Sequence, residues 1–563
     1  MLKRLNIALA AVAITAGTMT AAQAADDIDV IVLNADIRTV DAAKPRAEAL
    51  AVKDGKFIAV GSSAYIKSLG GEKTRIIDAG GRTLIPGIAD AHTHLLGGAD
   101  LLRGVDLYGL KDISSWQAAI KKRAAELPEG AWLVGGRWEG IIHMPTKEEL
   151  DSVVPDRPVA LLDLDSHTLW VNSKVLELTG ITAKTKAPAG GEIVRDSKGE
   201  PTGVLKESAM GLVFDHAAFA KTKTSKAADY EQLARHFNSV GVTSVHDMWD
   251  NLGEYEDAWK NSKNTLRVWF GLLDIAGDRE VRRADFTALA AQQKRINKEA
   301  AEREAREAVG PKFRFGYLKY FSDGALSGYT AALKQPYADR EDGFAGQPVQ
   351  TQAHLNAVVT EANRAGFPVA IHAIGDKGVD MALDAFAQSP YRDGKLNRIE
   401  HIEVASKEIL TRFGREGVVA AMMPDHAMDG DFQEKRLGEA RLPDSYAWQA
   451  ILSNGGLLVF GTDWPTAKES PLLQLGDAVL RIRNGKTWYG ENALTFDEAL
   501  YAYTQAPAIV AGWEKELGSI SVGKWADFVI LQGKVQDNPM TDIRDWKVDQ
   551  TWFAGQKVFD RLQ

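Results

Sequence analysis

Of the eleven histidines in this 563-residue chain, four sit where they could do chemistry together. His92 and His94 stand two apart in Asp90-Ala91-His92-Thr93-His94, shortly after the apolar Leu84-Ile85-Pro86-Gly87. Side chains alternate along a strand, so a strand ending here turns both imidazoles the same way, as a shared metal requires. Taken alone, such a pair is equally well two ordinary histidines near a turn. His372 and His401 also fall at the ends of buried-strand runs, Pro368 to His372 and Arg398 to His401, and Asp463 follows Phe460-Gly461-Thr462 in the same manner. Imidazole and carboxylate suit a divalent transition ion such as zinc, manganese or iron. With no cysteine in the chain, disulfides, thiolate ligands and cysteine nucleophiles are excluded together, and nitrogen and oxygen must hold any metal. Lys319 ends the run Phe313 to Leu318 just before Ser322-Asp323-Gly324. It either snorkels to solvent or pairs with Asp323, or it is buried. A buried lysine is a depressed-pKa amine, able to take up carbon dioxide as a carbamate that bridges two metal ions.

A parallel barrel gathers all its C-terminal strand ends on one face, where catalytic groups collect. The chain supplies the elements for one. Candidate strands end near His94, His246, Phe270, Lys319, His372, His401, Met422 and Phe460, separated by helical stretches, and eight is the number a closed (β/α)8 TIM barrel needs. The spacing is regular except after His94. An insertion at about 98–240, with strands of its own around Trp132 to Val134 and Val159 to Leu162, is expected at the barrel mouth. Residues 291–309, rich in Ala, Glu, Lys and Arg, read as a solvated helix. Strand-like runs near both ends predict a small β-sandwich domain from residues 25–85 and 515–563, with the barrel at 86–514 between them. Lys53-Asp54-Gly55-Lys56 marks a hairpin in its first half.

Residues 1–24 have the form of a secretory signal: Lys3 and Arg4, the apolar Ile7 to Ile14, then Ala22-Gln23-Ala24 as a cleavage site. The apolar run is shorter than the ~20 residues that span a bilayer, so export to a bacterial periplasm without stable membrane insertion is expected. A formal charge of −9 with no basic block argues against a nucleic-acid partner. A small-molecule substrate is the expected partner.

His92-x-His94, Lys319, His372, His401 and Asp463, in this order on strands one, four, five, six and eight, resemble the amidohydrolase superfamily. So does Gly523-Lys524-Trp525-Ala526-Asp527 opening the C-terminal β segment. Asp165 to Ser173, Ile371 to Asp376, Arg398 to His401 and Gly461-Thr462-Asp463-Trp464-Pro465 are similar to the branch containing N-substituted formamide deformylases (amidohydrolase family 3). The resemblance implies His92 and His94 on the more buried metal, His372 and His401 on a second, N6-carboxylated Lys319 as the bridge, and Asp463 as ligand and proton acceptor. One or two ions per chain, zinc first among them, would be the cofactor. Barrels of this kind often pair, so a homodimer is an expectation.

The implied activity is metal-dependent hydrolysis of a carbon–nitrogen bond in an N-acyl or N-formyl compound. Alternatives are a deaminase or cyclic-amide or ester hydrolase on the same scaffold, and, from another class, a periplasmic binding protein. His246, ending the second strand, and His167, in the insertion, are candidate donors to a tetrahedral oxyanion. His167, Asn172, Trp138 and Glu207 are the candidate substrate contacts, being polar and aromatic groups of the kind that line pockets. Asp323 is expected to fix the loop after Lys319. His426 is expected to be structural or solvated, though it follows the seventh strand and could reach the pocket rim.

Overall fold

The computed structural model describes residues 28–138, 144–164, 168–188, 191–220, 225–273, 280–389, 395–428, 432–537 and 539–562. The expected leader at 1–24 lies outside the described residues, among which no helix is long and apolar enough to cross a membrane.

Eight parallel strands form one sheet in chain order: Ile88–Thr93, Val242–Trp249, Arg267–Leu273, Phe313–Phe321, Val369–Ala373, Arg398–His401, Val419–Met422 and Leu457–Phe460. The eighth strand returns to the first through a parallel bridge between Thr93 and Trp464. There Asp463 N donates to His92 O at 2.8 Å and His94 N donates to Trp464 O at 2.8 Å. Gly461 permits this closure, because a Cβ at that position would lie 2.3 Å from His92 N. The fold is thus a mixed α/β one with a nearly closed eight-stranded barrel.

Near-continuous burial of short apolar strands is what a parallel sheet covered by helices requires. Outside the barrel, Ile371, Ile399, Ala420 and Leu458 pack into the main core with helix residues such as Leu355, Val379, Leu410 and Ile451. The interior is lined by small residues, Ala91, Ala370 and Ala421, around two large rings, Trp269 and Tyr317, stacked at 4.3 Å. Each strand from the second to the eighth follows a helix that reverses the chain, so every strand runs the same way and ends on the same face.

Between the first and second barrel strands lies a six-stranded sheet. Its order is Gly191–Arg195, Pro201–Glu207, Thr168–Val171, Ala160–Asp163, Gly135–Trp138, Val105–Asp106. It has its own core around Trp116, Leu133, Leu161 and Val204. The segment is shorter than expected, because the helix Lys226–Ser239 packs Tyr230, Leu233 and Phe237 into the barrel's main core and belongs to the barrel layer.

The chain ends meet in two further sheets. A four-stranded sheet uses N-terminal strands alone, while a six-stranded one joins Thr83–Pro86, Asp36–Arg38 and Arg46–Ala47 to the C-terminal Phe528–Leu531, Val548–Phe553 and Gln556–Asp560. Val32, Leu50 and Phe57 of the first share a core with Leu84, Phe528 and Trp552 of the second. This unit is fastened to the third barrel strand by a fully buried fork: Arg267 donates to Asp527 at 2.6 and 2.8 Å.

Candidate metal centre

The strand ends converge as parallel geometry demands. His92 is almost fully buried, and His94, two residues on, has a side chain 30% exposed; their ring centroids lie 5.5 Å apart. Each Nε2 is 3.3 Å from the same oxygen of Asp463. His401 sits 4.9 Å from the His92 ring and 4.5 Å from that of His372. His92, His401 and Asp463 each bring one donor atom within 4.8 Å of the other two. Lys319 is buried beside them on the fourth strand, and no hydrogen bond or ion pair among the described residues engages its ammonium; the ring of Phe321 lies 5.6 Å from Nζ. The backbone is strained where the donors turn inward, with φ of 74° at His401 and 59° at Asp463. Non-glycine residues in that region cost on the order of 1–3 kcal/mol each and persist where surrounding structure imposes them.

A layer beneath fixes the donors. His92 Nδ1 is 2.5 Å from Glu400 Oε2, and Arg398 donates to both oxygens of Glu400, to Ala91 O and to His246 Nδ1. Burial would raise the Glu400 pKa, but Arg398, Lys319 and His92 outweigh it and hold the carboxyl well below its usual range. A carboxylate at Nδ1 keeps the proton there and leaves Nε2 as a lone pair aimed at Asp463. His372 is arranged the opposite way, its Nε2 lying 3.1 Å from Gly324 O. Burial, reinforced by the Lys319 charge, brings His372 down to about 3, and burial with the neighbouring His372 keeps His401 well below its normal value. His372 and His401 are therefore neutral, with lone pairs available. Burial brings Lys319 down to about 8 against the opposing carboxylates of Glu400 and Asp463.

Further groups complete the site. Asp90, pushed up to about 7 by burial, accepts from Thr462 N, Thr462 Oγ1 and His92 N, which ties the first and eighth strands together. Asp323 accepts from the backbone of Ala332, Ile374 and Gly375 at 2.8–3.0 Å, holding the loop after Lys319 against that after His372. His426 stacks parallel to His401 at 6.0 Å, its Nε2 3.7 Å from Asp463 and its Nδ1 3.8 Å from the buried Glu403. Burial opposes its protonation, but Glu403 and Asp463 prevail and raise it to about 9. It stands beside the converging donors, nearer the alternative that the sequence left open, a reach to the pocket rim, than a structural or solvated place. Arg398, Glu400 and Glu403 are further members that motif reasoning missed. Charged residues two apart inside the otherwise buried strand 398–401 were the available signal.

The expected contacts beyond the ligands are placed differently. His246 is fully enclosed, with Nδ1 accepting from Arg398 at 2.9 Å, the ring bonded to the Pro507 backbone, and its face edge-on to Trp269; neither nitrogen is left for an oxyanion. Asn172 is wholly buried as a helix N-cap, its amide accepting from Val159 N and Val175 N and donating to Val154 O and Arg157 O. Trp138 donates to Leu161 O at 3.1 Å and packs with Trp116 and Trp170 in the insertion core. Glu207 stands exposed at the end of the strand Pro201–Glu207, outside the buried group of strand-end residues. His167 lies outside the described residues.

Two of the converging nitrogens, His92 Nε2 and His401 Nδ1, are buried without a hydrogen-bond partner. Polar atoms left so cost free energy unless something is bound there. Imidazoles whose protonation burial opposes, gathered about a buried carboxylate, are the donors a divalent transition cation takes, so the residues present fit a metal.

The model of an amidohydrolase family matches residues 75–559. A putative amidohydrolase of Bacillus subtilis, YtcJ, is 32% identical over 540 residues, covering 92% of this chain and 96% of its own. N-substituted formamide deformylase of Arthrobacter pascens is 27% identical over 556 residues, covering 95% and 98%. Among solved structures, an uncharacterized metal-dependent hydrolase from Pyrococcus furiosus superposes with a TM-score of 0.67 at 26% identity, covering 89% of this chain and 98% of that one. The chain belongs to the amidohydrolase family, as a hydrolase acting on carbon–nitrogen bonds.

Proposed function

We propose that the protein cleaves the C–N bond of an N-acyl or N-formyl small molecule at the strand-end cluster. The observation that carries this is the approach of His92, His401 and Asp463 donor atoms within 4.8 Å in a buried site. The likeness to a formamide deformylase over nearly the whole chain supports the choice of bond.

His92, His94, His372, His401 and Asp463 would hold the divalent metal, for which zinc suits the nitrogen and oxygen donors. When bound, it supplies Lewis acidity and a water whose pKa is brought to near neutrality. Asp463, whose carboxyl is held well below its usual range despite burial, takes the proton from the attacking water and returns it to the leaving nitrogen. Glu400 and Arg398 keep His92 in one tautomer and one orientation throughout. His426, against the other carboxylate oxygen of Asp463 from His92 and His94, would donate to the carbonyl oxygen as it gains charge, the part first considered for His246. Lys319, as the neutral amine, would add carbon dioxide with loss of one proton, giving a carbamate that would join the residues holding the metal.

The test is metal content per chain by elemental analysis, alongside hydrolysis of a panel of N-formyl and N-acyl amines. Asp463→Asn should retain metal and lose on the order of 1000-fold or more in turnover. Wild-type protein with full metal content that cleaves no member of the panel would overturn the assignment.

A further inference from the structure

Asp463 lies at the start of the loop that follows the eighth strand, and the insertion sheet reaches that loop with one side chain. Arg137, 8% exposed, donates through Nη1 to Pro465 O at 2.6 Å and to Ala467 O at 3.3 Å. Its Nε and Nη2 are engaged by the two oxygens of Asp106, and its guanidinium lies over the Tyr108 ring at 4.7 Å. The cation is thus gripped from behind by the insertion and gives its remaining nitrogen, Nη1, to two carbonyls of the barrel loop two residues apart. An arginine fork suits this, since its donors are fixed in one plane.

The backbone is built to aim it. Gly135, Gly136 and Arg137 have φ of 105°, 131° and 60°, three successive residues outside the ordinary range. A Cβ on Gly135 would lie 2.3 Å from Val105 O, and one on Gly136 would lie 1.9 Å from Leu162 O, so only glycine fits at either position. Arg137 carries a side chain in the left-handed region, at a cost on the order of 1 kcal/mol or more. That side chain turns to Asp106, Tyr108 and the barrel loop, while the neighbouring Trp138 packs into the insertion core.

The loop has other anchors, but they hold a different part of it. The Trp464 indole sits on Gly98, where a Cβ would come within 2.0 Å, and edge-on to Phe237 at 5.3 Å. Asp463 O accepts from Thr466 N at 2.9 Å and Ala467 N at 3.4 Å, closing a turn directly on the aspartate. Arg137 binds the outward carbonyls of that same turn.

We infer that Arg137 is a positioning residue, contributed by the insertion, that clamps the Asp463 turn in its strained conformation and so ties the aim of the carboxylate to the docking of the insertion. The catalytic part of this rests on the function proposed for Asp463, whereas the clamp itself does not.

The experiment compares full-length, metal-loaded wild type with Arg137→Met and Arg137→Lys by hydrogen–deuterium exchange and by steady-state kinetics. Exchange at Thr466 and Ala467 should speed up in Arg137→Met by roughly 10-fold or more, while the sheet amides of Ala160–Asp163 and Thr168–Val171 keep their protection. Lysine, with a single point of donation, should restore only part of it. A misplacement of the turn should lower kcat on the order of 10–100-fold with KM little changed, and added guanidinium ion should recover part of the loss in Arg137→Ala. Unchanged exchange at 466–467 overturns the clamp. Equal loosening at Ala160–Asp163 and Thr168–Val171 also overturns it, because Arg137 would then be a staple of the insertion alone. Should the wild type cleave no amide at all, the exchange data still decide the clamp while the assigned activity falls.

Discussion

The strand ends of the barrel and the inserted sheet carry similar side chains and use them in opposite ways. At the barrel, His92, His401 and Asp463 converge, with His92 Nε2 and His401 Nδ1 left without a hydrogen-bond partner. In the insertion, Asn172 spends its amide on four backbone partners and Trp138 spends its indole on Leu161 O, so residues chosen for pocket-like chemistry turn out to be a helix cap and a core ring. The difference lies in what constrains direction. A closed parallel barrel fixes where every strand ends, so residue type plus position implies a shared site. A mixed sheet with its own core has two faces and several edges, and polarity says nothing about which of them meets substrate.

The comparison breaks most readily at Glu400. It is completely buried, neutralises Arg398 and orients His92, so Glu400→Gln should damage stability and site together. Leaving a buried arginine unpaired costs about 3–5 kcal/mol, and loss of a carboxylate behind a metal-ligating histidine costs on the order of 10–100-fold in metal affinity or activity. Thermal melting and metal titration of the one variant measure both. If metal affinity holds while stability falls, Glu400 serves the barrel interior and not the donors.

Asn172→Ala sharpens the same comparison from the other side. It removes an N-cap, worth about 0.5–2 kcal/mol, and strips a buried partner from Val159 N, worth roughly 1–3 kcal/mol. The melting temperature should drop while KM for any cleaved amide stays within about twofold, as expected of a mutation that perturbs folding alone. A rise in KM without a fall in stability would return Asn172 to the substrate site.

Much of the barrel was legible because its signals are redundant. Eight apolar runs at βα spacing, each ending at a polar residue, allow few topologies, and the family match agrees with them. The donors were legible for the same reason. Glu400 and Arg398 were not, although Arg398-Ile399-Glu400 was in plain view, because strand alternation says they share a face without saying that His92 and His246 stand opposite. His246 was left undecided by the same gap: ending a strand places a residue near the site, but a neighbour 152 positions away decides whether its nitrogens are free. Arg137 was hidden more completely, since the positive φ values that aim it belong to Gly135 and Gly136 and to a loop more than 300 residues on.

Asp477 offers the smallest effect and asks whether a shifted pKa marks the site at all. It lies buried on the helix Pro471–Leu480, with Oδ2 unpartnered and the Arg544 guanidinium 3.8 Å away. Burial, with the Asp425 charge adding to it, pushes its carboxyl up to about 8. The native state therefore keeps a proton that the unfolded chain releases near pH 4. Its contribution to stability is full below that value and is lost progressively as pH rises towards 8, where the ionised group is left in an apolar setting. Asp477→Asn cannot ionise, so its melting temperature should match wild type near about pH 4 and exceed it by a growing margin up to about pH 9. Turnover should be unaffected across the range. A constant difference in melting temperature would mean that Asp477 is already ionised in the fold, through solvent or Arg544. A pH-dependent change in kcat would mean that the helix behind the Asp463 loop transmits its charge to the strand ends, extending the active site beyond the barrel interior.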